Sequence, residues 1–389
     1  MIARLLTVHL LLMTGLLLPG LLLTGCERKT EPGGGQAGQP LLIGHYTSLT
    51  GSEQNFGVFT DNGIKLAVEE RNAAGGVLGR PIKLITYDNQ SKAPETASAV
   101  TRLITQDKVV ALLGEVASSR SLVGGEIAQR FGVPMVSPSS TNPNVTAIGD
   151  MIFRVCFIDP FQGDVCAKFA VQKGWKKAAI LYDRGQAYST GLQKNFREAF
   201  SRLGGTIVTE QAYNTGDSDF STQLNAIVGA APDVLFVPGY YTDVGNIALQ
   251  LRKGGSSLPM LGSDGWTGVQ AISPEVAKAL EGCFYSDHYS VEDPSERVQG
   301  FLRKFQSKFG VMPDSMAALG YDAANILFAA IERAGSTDPK AIAKELAATT
   351  NFEGVTGTIT IDANRNASKP GVILEITGGK TRYVTTIAP

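Results

Sequence analysis

Five stretches of this chain place hydroxyls, aromatic rings or a carboxylate directly after short apolar runs. Leu113-Gly114-Glu115-Val116-Ala117-Ser118-Ser119 follows the run Val109–Leu113 and opens a helical pattern. Ser118 falls at the N-cap position, where unpaired backbone N–H groups and the helix dipole favour an anion. The same residue serves equally as an ordinary cap. Ser137-Pro138-Ser139-Ser140-Thr141-Asn142-Pro143 follows Val133–Val136, and proline brackets its small hydroxyl residues. Ser139 and Thr141 can hydrogen-bond a small ligand there, or form a plain polar loop. Tyr188, in Tyr182–Gly191, and Tyr240, in Pro238-Gly239-Tyr240-Tyr241, bring aromatics to later run ends. Leu261-Gly262-Ser263-Asp264-Gly265-Trp266 brings a carboxylate. Singly, each reads as turn chemistry. Together, an anion site and a carboxylate flanked by tyrosines suit a zwitterion, whose two charges must both be paired when buried.

Residue types that would support other chemistries are poorly arranged for them. His9, His45 and His288 are scattered, and four cysteines in 389 residues fit neither a metal cluster nor a disulfide scaffold. His45 and His288 have no acid or thiol nearby in sequence and read as surface or strand residues. Cys156 and Cys166 could pair in an oxidising compartment, which would leave Cys283 over. Gly378-Gly379-Lys380-Thr381 ends like a phosphate loop, but Leu374 stands where glycine is needed and a strand follows. It reads as a hairpin turn. In Gly75-Gly76-Val77-Leu78-Gly79, Ala74 replaces the first glycine of a dinucleotide fingerprint. No serine sits in a nucleophile elbow. The reading is a binding protein, not an enzyme, with no metal and no cofactor. The 35 basic and 36 acidic residues leave a net charge of −1, so nucleic acid is not expected as a partner.

These residues need elements to hold them. With 43% hydrophobic and 18% charged residues, the chain can build a large core and is neither disordered nor fibrous. Its length suits two or three domains. Apolar runs at Leu41–Tyr46, Ile82–Tyr87, Val109–Leu113 and Val133–Val136 alternate with helical patterns. The alternation restarts at Ala178–Tyr182. It continues through the stripe Leu192, Phe196, Ala199, Phe200 and Leu203 to Ile207–Glu210, Val234–Val237 and Met260–Leu261. Long helical patterns cover Ser295–Phe309 and Ser315–Ala334, and Val355–Ile361, Val372–Ile376 and Tyr383–Ile387 close the chain as strands. Fully apolar strands alternating with helices imply parallel sheets covered on both faces. The expected fold class is α/β, with two Rossmann-like lobes. Ligands bind beyond the carboxyl ends of such strands, which is where the five stretches fall.

The first residues read as an address. Arg4 is the only charge before Glu27, a leucine-rich run covers residues 5–23, and Leu23-Thr24-Gly25-Cys26 closes it. A positive start, an apolar stretch and small residues before a cut describe a secretory signal. The final four residues resemble a bacterial lipobox, with Cys26 as the lipidated new N-terminus and the periplasm or cell envelope as the location; simple secretion and a retained membrane span are the alternatives. Residues 26–40, rich in glycine, read as a flexible tether.

The mature chain resembles the leucine/isoleucine/valine-binding proteins of ABC importers, within the type I periplasmic binding proteins. The resemblance is carried by Ser48-Leu49-Thr50-Gly51, Asn72-Ala73-Ala74-Gly75-Gly76-Val77-Leu78-Gly79, Tyr87-Asp88, Ser137–Pro143 and Phe153-Arg154. It implies an N-terminal lobe from 41–160 plus 289–363 and a C-terminal lobe from 161–288 plus 364–389. Three hinge crossovers are implied near Ile158–Phe161, Asp287–Ser290 and Ile361–Asn366. It implies that Ser118 and Thr141 hold a ligand carboxylate, and that Ser139 meets the ammonium through its carbonyl. Tyr188 and Tyr240 would close over the ligand, Asp264 would pair with the ammonium, and Phe56 would line the side-chain pocket. The implied ligand is an amino acid, branched-chain or otherwise apolar, and the implied partner is an ABC permease in the inner membrane. Amides, urea and aromatic acids are alternative ligands of the same fold, and a ligand sensor is an alternative role.

Overall fold

The computed structural model describes residues 38–388. The signal-like run, Cys26 and most of the tether lie outside the described residues.

The first sheet is assembled from β1 (Leu41–Thr47), β2 (Ile82–Asp88), β3 (Ala111–Leu113), β4 (Met135–Ser137) and β5 (Ile152–Arg154). Their order is β2-β1-β3-β4-β5 and every pair is parallel. β3, β4 and β5 are buried along their whole length, as parallel strands covered on both faces must be, while the edge strand β2 is half-buried. The connecting helices are α1 (Gln54–Ala73), α2 (Ala93–Thr105), α3 (Ser118–Phe131) and the short α4 (Asn144–Ala147).

The chain then leaves this sheet. Helix α5 (Asp159–Gln172) leads into β6 (Lys177–Asp183), α6 (Ala187–Arg202), β7 (Thr206–Tyr213), α7 (Ser221–Gly229) and β8 (Val234–Val237). After these come α8 (Tyr241–Lys253), β9 (Met260–Gly262), α9 (Pro274–Ala279) and β10 (Cys283–Asp287). A second passage returns to α10 (Glu296–Phe309), α11 (Ser315–Ala334) and α12 (Pro339–Ala347), then to β11 (Phe352–Gly354), β12 (Gly357–Ile361) and β13 (Ala367–Ser368). Helix α11 packs along α1 so closely that a Cβ on Gly63 would lie 2.0 Å from the Ala317 carbonyl oxygen, and one on Gly320 2.5 Å from that of Thr60. A third passage delivers β14 (Gly371–Thr377) and β15 (Lys380–Ile387), which join the second sheet antiparallel in the order β15-β14-β10-β9-β8-β6-β7.

The α/β class with two parallel-rich sheets is the expected one. The third passage, however, falls at Lys369–Pro370 and not at Ile361–Asn366. Residues Asp362–Asn366 are instead the turn between the antiparallel strands β12 and β13, and Ile361 and Ala367 pack in the core of the first sheet. Lys369 is buried there, and its Nζ donates to Thr356 Oγ1, itself held by Asp322. Gly378-Gly379, both at positive φ, form the tight turn between β14 and β15, as a hairpin needs. Among the described residues no helix is long and apolar enough to cross a membrane.

Candidate functional site

In each sheet the strand order reverses beside the first strand of its unit, between β1 and β3 and between β6 and β8. A crevice opens at the carboxyl ends of the strands at such a reversal. Every predicted site residue except Phe56 lies on a loop or helix start that follows one of these strand ends, and Phe56 is in the first turn of α1. All seven are buried, between 0% and 6% exposed.

The loop after β4 is shaped by Arg154 of β5. Its guanidinium is buried and donates to the carbonyls of Ser140 and Asn142 (2.8 Å for Asn142) and to Thr146 Oγ1 at 3.1 Å. Burial lowers its pKa from the usual arginine value. Ser137 and Ser140 direct their hydroxyls to the Glu115 carbonyl at 2.9 and 3.1 Å. Ser139 Oγ and Thr141 Oγ1 are buried with no partner among the described residues. The same loop therefore divides its hydroxyls by alternation, two holding backbone and two buried without a partner among the described residues.

Ser118 differs from its expected role. Ala117, in extended conformation, takes the N-cap place, and Ser118 is the first residue of α3. Its Oγ accepts from the Asn142 amide at 3.2 Å and so links the two loops.

Across from these lies an aromatic and acidic group. Tyr188, near the start of α6, donates from Oη to Asp264 Oδ1 at 2.8 Å and accepts from the Gly265 amide at 2.8 Å. Ser263 Oγ lies 2.6 Å from the same oxygen, and with the phenol proton already given to Asp264, serine is the donor. Gln162 Nε2 donates to Asp264 Oδ1 at 2.9 Å, and His288 Nε2 to Oδ2 at 3.1 Å. Burial pushes His288 down to about 4, so the ring is neutral at ordinary pH. Tyr240 stacks on Tyr188 with centroids 5.0 Å apart, and Phe56 meets Tyr240 edge-on at 5.8 Å. The Tyr240 hydroxyl has no partner among the described residues.

The two sets touch. Asn142 Nδ2 donates to the Ala187 carbonyl at 2.8 Å, the Ala187 amide donates to Ser119 Oγ at 3.0 Å, and the Asn55 amide donates to Tyr241 Oη at 3.2 Å. The resulting arrangement has hydroxyls and amides on one wall, an acid on the other and aromatic rings between them. It can hold a small molecule by hydrogen bonds at one end and a cation at the other.

Residues 40–380 match the family described as periplasmic binding protein. The chain belongs to this family. A Pseudomonas aeruginosa relative named as a leucine-, isoleucine-, valine-, threonine- and alanine-binding protein is 29% identical over 319 residues, covering 81% of this chain and 83% of the relative. The solved structure of a leucine-binding protein from Thermotoga maritima aligns with a TM-score of 0.86 at 38% identity, over 90% of this chain and 99% of that one. A Streptococcus pneumoniae branched-chain amino acid transporter substrate-binding protein, solved with isoleucine, aligns at 0.85 and 32% over 90% of this chain and 100% of that one.

Several residues of this periplasmic binding protein's site were not legible from local sequence. Gln162, His288 and Asp159 reach it from α5 and the second passage. Asp159-Pro160 carries a helix-start signal, proline in the first turn, but nothing local marks His288. It is neither a surface nor a strand residue. Its acid partner, Asp264, is 24 positions away, and its ring stacks on Phe157 with centroids 3.9 Å apart. Cys156, Cys166 and Cys283 are buried free thiols, so the possible Cys156–Cys166 bridge is not formed. Burial pushes the first two up to about 12, which leaves them protonated and unreactive.

Proposed function

We propose that this chain captures an α-amino acid with a branched or otherwise apolar side chain and delivers it to an ABC permease. The observation that carries the reading is the placing of the unpartnered hydroxyls of Ser139 and Thr141 on one side of the cleft, opposite Asp264 and the unpartnered Tyr240 hydroxyl on the other. Amino-acid capture needs a satisfied charge at each end and an apolar middle. Ser118, Thr141 and neighbouring amides would hold the carboxylate. The Ser139 carbonyl and Asp264 would meet the ammonium. Tyr188, Tyr240 and Phe56 would enclose the side chain. The relatives' stated ligands, leucine and isoleucine among them, agree with this reading. Bound ligand stabilises the closed arrangement by touching both walls, and the closed shape is what a permease would recognise. The ligand is released unchanged. Leu23-Thr24-Gly25-Cys26 supports a lipid anchor at Cys26, which would hold the protein at the envelope membrane. Cys26→Ser should then move it from the membrane fraction to the soluble fraction.

The parallel stack of Tyr188 and Tyr240 favours one alternative, a flat aromatic acid. Titration calorimetry against leucine, isoleucine, valine, alanine, benzoate and urea tests both readings. Tight binding of a branched-chain amino acid is expected. Binding of benzoate in its place would reverse the assignment.

A further inference from the structure

The site holds a second buried acid. Asp159 opens α5 immediately after the chain's first passage between the sheets, and its amide donates to the Thr141 carbonyl at 3.0 Å. Its side chain is fully buried, and neither carboxyl oxygen accepts a hydrogen bond from the described residues. The bare Cα of Gly191 in α6 lets it sit there, since a Cβ would come 2.6 Å from Asp159 Oδ2 and 2.9 Å from Asn142 Nδ2. The unpartnered Thr141 hydroxyl belongs to the loop that Asp159 is bonded to.

The charged and titratable groups around it can be named. Asp264 comes from the end of β9 and repels it. Arg154 comes from β5, with its guanidinium already bonded to the Ser140 and Asn142 carbonyls. The Cys156 thiol is neutral, and the neutral His288 ring is bonded to Asp264. Among the described residues no lysine, arginine or histidine forms an ion pair with Asp159. Two neighbouring buried acids with no cation of their own cannot both ionise readily, and a single cation placed with them changes that.

We propose that Asp159 and Asp264 share the ligand's ammonium, and that Asp159 releases one proton to solvent as the ammonium enters. This rests on the amino-acid reading above and deepens it, because the site would then demand an amine. The charge balances: a carboxyl, a carboxylate and the neutral zwitterion sum to −1 before binding, and two carboxylates with the zwitterion (−2) and a proton in bulk water (+1) sum to −1 after it. Burial pushes Asp159 up to about 8, Asp264 reinforces this and Arg154 opposes it. Asp159 therefore carries its proton at neutral pH until a cation arrives.

Titration of L-leucine by calorimetry at pH 6.5, in phosphate and in imidazole buffer, tests this on the unaltered protein. The two heats should differ by close to one buffer protonation per leucine bound. Affinity should rise about tenfold from pH 6 to pH 7. Asp159→Asn should bind leucine with equal heats in both buffers and a flat pH profile. The amine-free analogue 4-methylpentanoate should bind at least about 100-fold more weakly than leucine to the unaltered protein. Leucine binding with buffer-independent heat overturns the proposal while leaving the amino-acid reading intact, as does an Asp159→Asn variant that still releases the proton. If neither leucine nor any other amino acid of the panel binds, the amino-acid reading fails and this proposal fails with it.

Discussion

His288 Nε2 lies 3.1 Å from Asp264 Oδ2, so the second passage between the sheets directly holds the acid at the end of β9. Three side chains, Tyr188, Gln162 and His288, thereby fix one carboxylate. A carboxylate has about four acceptor positions, which leaves one for a ligand cation.

Asp264→Asn should weaken binding of a branched-chain amino acid by at least about 30-fold, since losing one partner of a buried charge pair costs about 2–5 kcal/mol. Apo stability should also fall, by about 1–2 kcal/mol, because an amide cannot accept at both oxygen positions now served by three donors. Calorimetry and denaturant unfolding read the two effects. Undiminished affinity would remove Asp264 from the ligand's contacts.

Tyr240→Phe and Tyr240→Ala separate the hydroxyl from the ring. The hydroxyl has no partner among the described residues, so its loss should change stability by less than about 0.5 kcal/mol while lowering affinity about 3- to 10-fold. Removing the ring also removes its stack on Tyr188 and its edge contact with Phe56, and affinity should fall more than about tenfold. Equal losses in the two variants would show that the hydroxyl alone matters.

Arg154→Lys keeps the charge and loses the fork. A lysine cannot reach the Ser140 and Asn142 carbonyls and Thr146 together, so thermal or urea unfolding should show a loss of about 2 kcal/mol or more. Ligand affinity should fall with it, because the same loop carries Ser139 and Thr141. A fully stable variant with native affinity would mean that the loop holds its shape without the guanidinium.

Gly191→Ala places a methyl group where Asp159 and Asn142 already sit. Overpacking of this kind costs about 1–3 kcal/mol, or roughly 5- to 150-fold in affinity if it acts on closure. The far-ultraviolet circular dichroism should be unchanged, since α6 itself tolerates alanine. Native affinity would show that α6 does not approach the loop when ligand is bound.

The ligand-free stability of the protein should fall with rising pH through Asp159. Its folded pKa is raised from 3.8 to about 8, so between those values the folded chain holds a proton that the unfolded chain has lost. The stabilisation from this group is complete below the unfolded value and is lost as pH rises through the folded one. Relative to Asp159→Asn, the unaltered protein should lose at least about 2 kcal/mol between pH 5 and pH 8. Parallel stability curves would contradict a raised pKa at this carboxyl.

The parts of the site legible in sequence are those where a strand ends and the next residues are polar. Leu261-Gly262-Ser263-Asp264 and Ser137–Thr141 announce themselves by the switch from apolar to small polar residues, and the parallel sheets put those switches in one place. What stayed hidden depends on separation along the chain. Gln162 and Asp264 are 102 positions apart, and nothing near either one names the other. The N-cap reading of Ser118 failed because Ala117 takes the extended cap conformation one residue earlier, a shift that residue preferences do not resolve. The third passage is not legible because β12 and the two-residue β13 form a small antiparallel pair before it, and a two-residue strand carries no periodicity.

The three passages between the sheets also bear on how the chain is made. β10 pairs with β14 in the register Cys283 to Ile376, and α1 packs on α11, which starts at Ser315. Each half therefore completes its core only after α11 or β14 has been synthesised. Contacts this distant form slowly, because the intervening chain must first be closed into a loop. A nascent chain with 300 residues made has β1 to β5 in hand but lacks α11 to cover α1, and has β6 to β10 with one flank of β10 unpaired. Until α11 and β14 are made, one face of α1 and one flank of β10 have no partner to cover them.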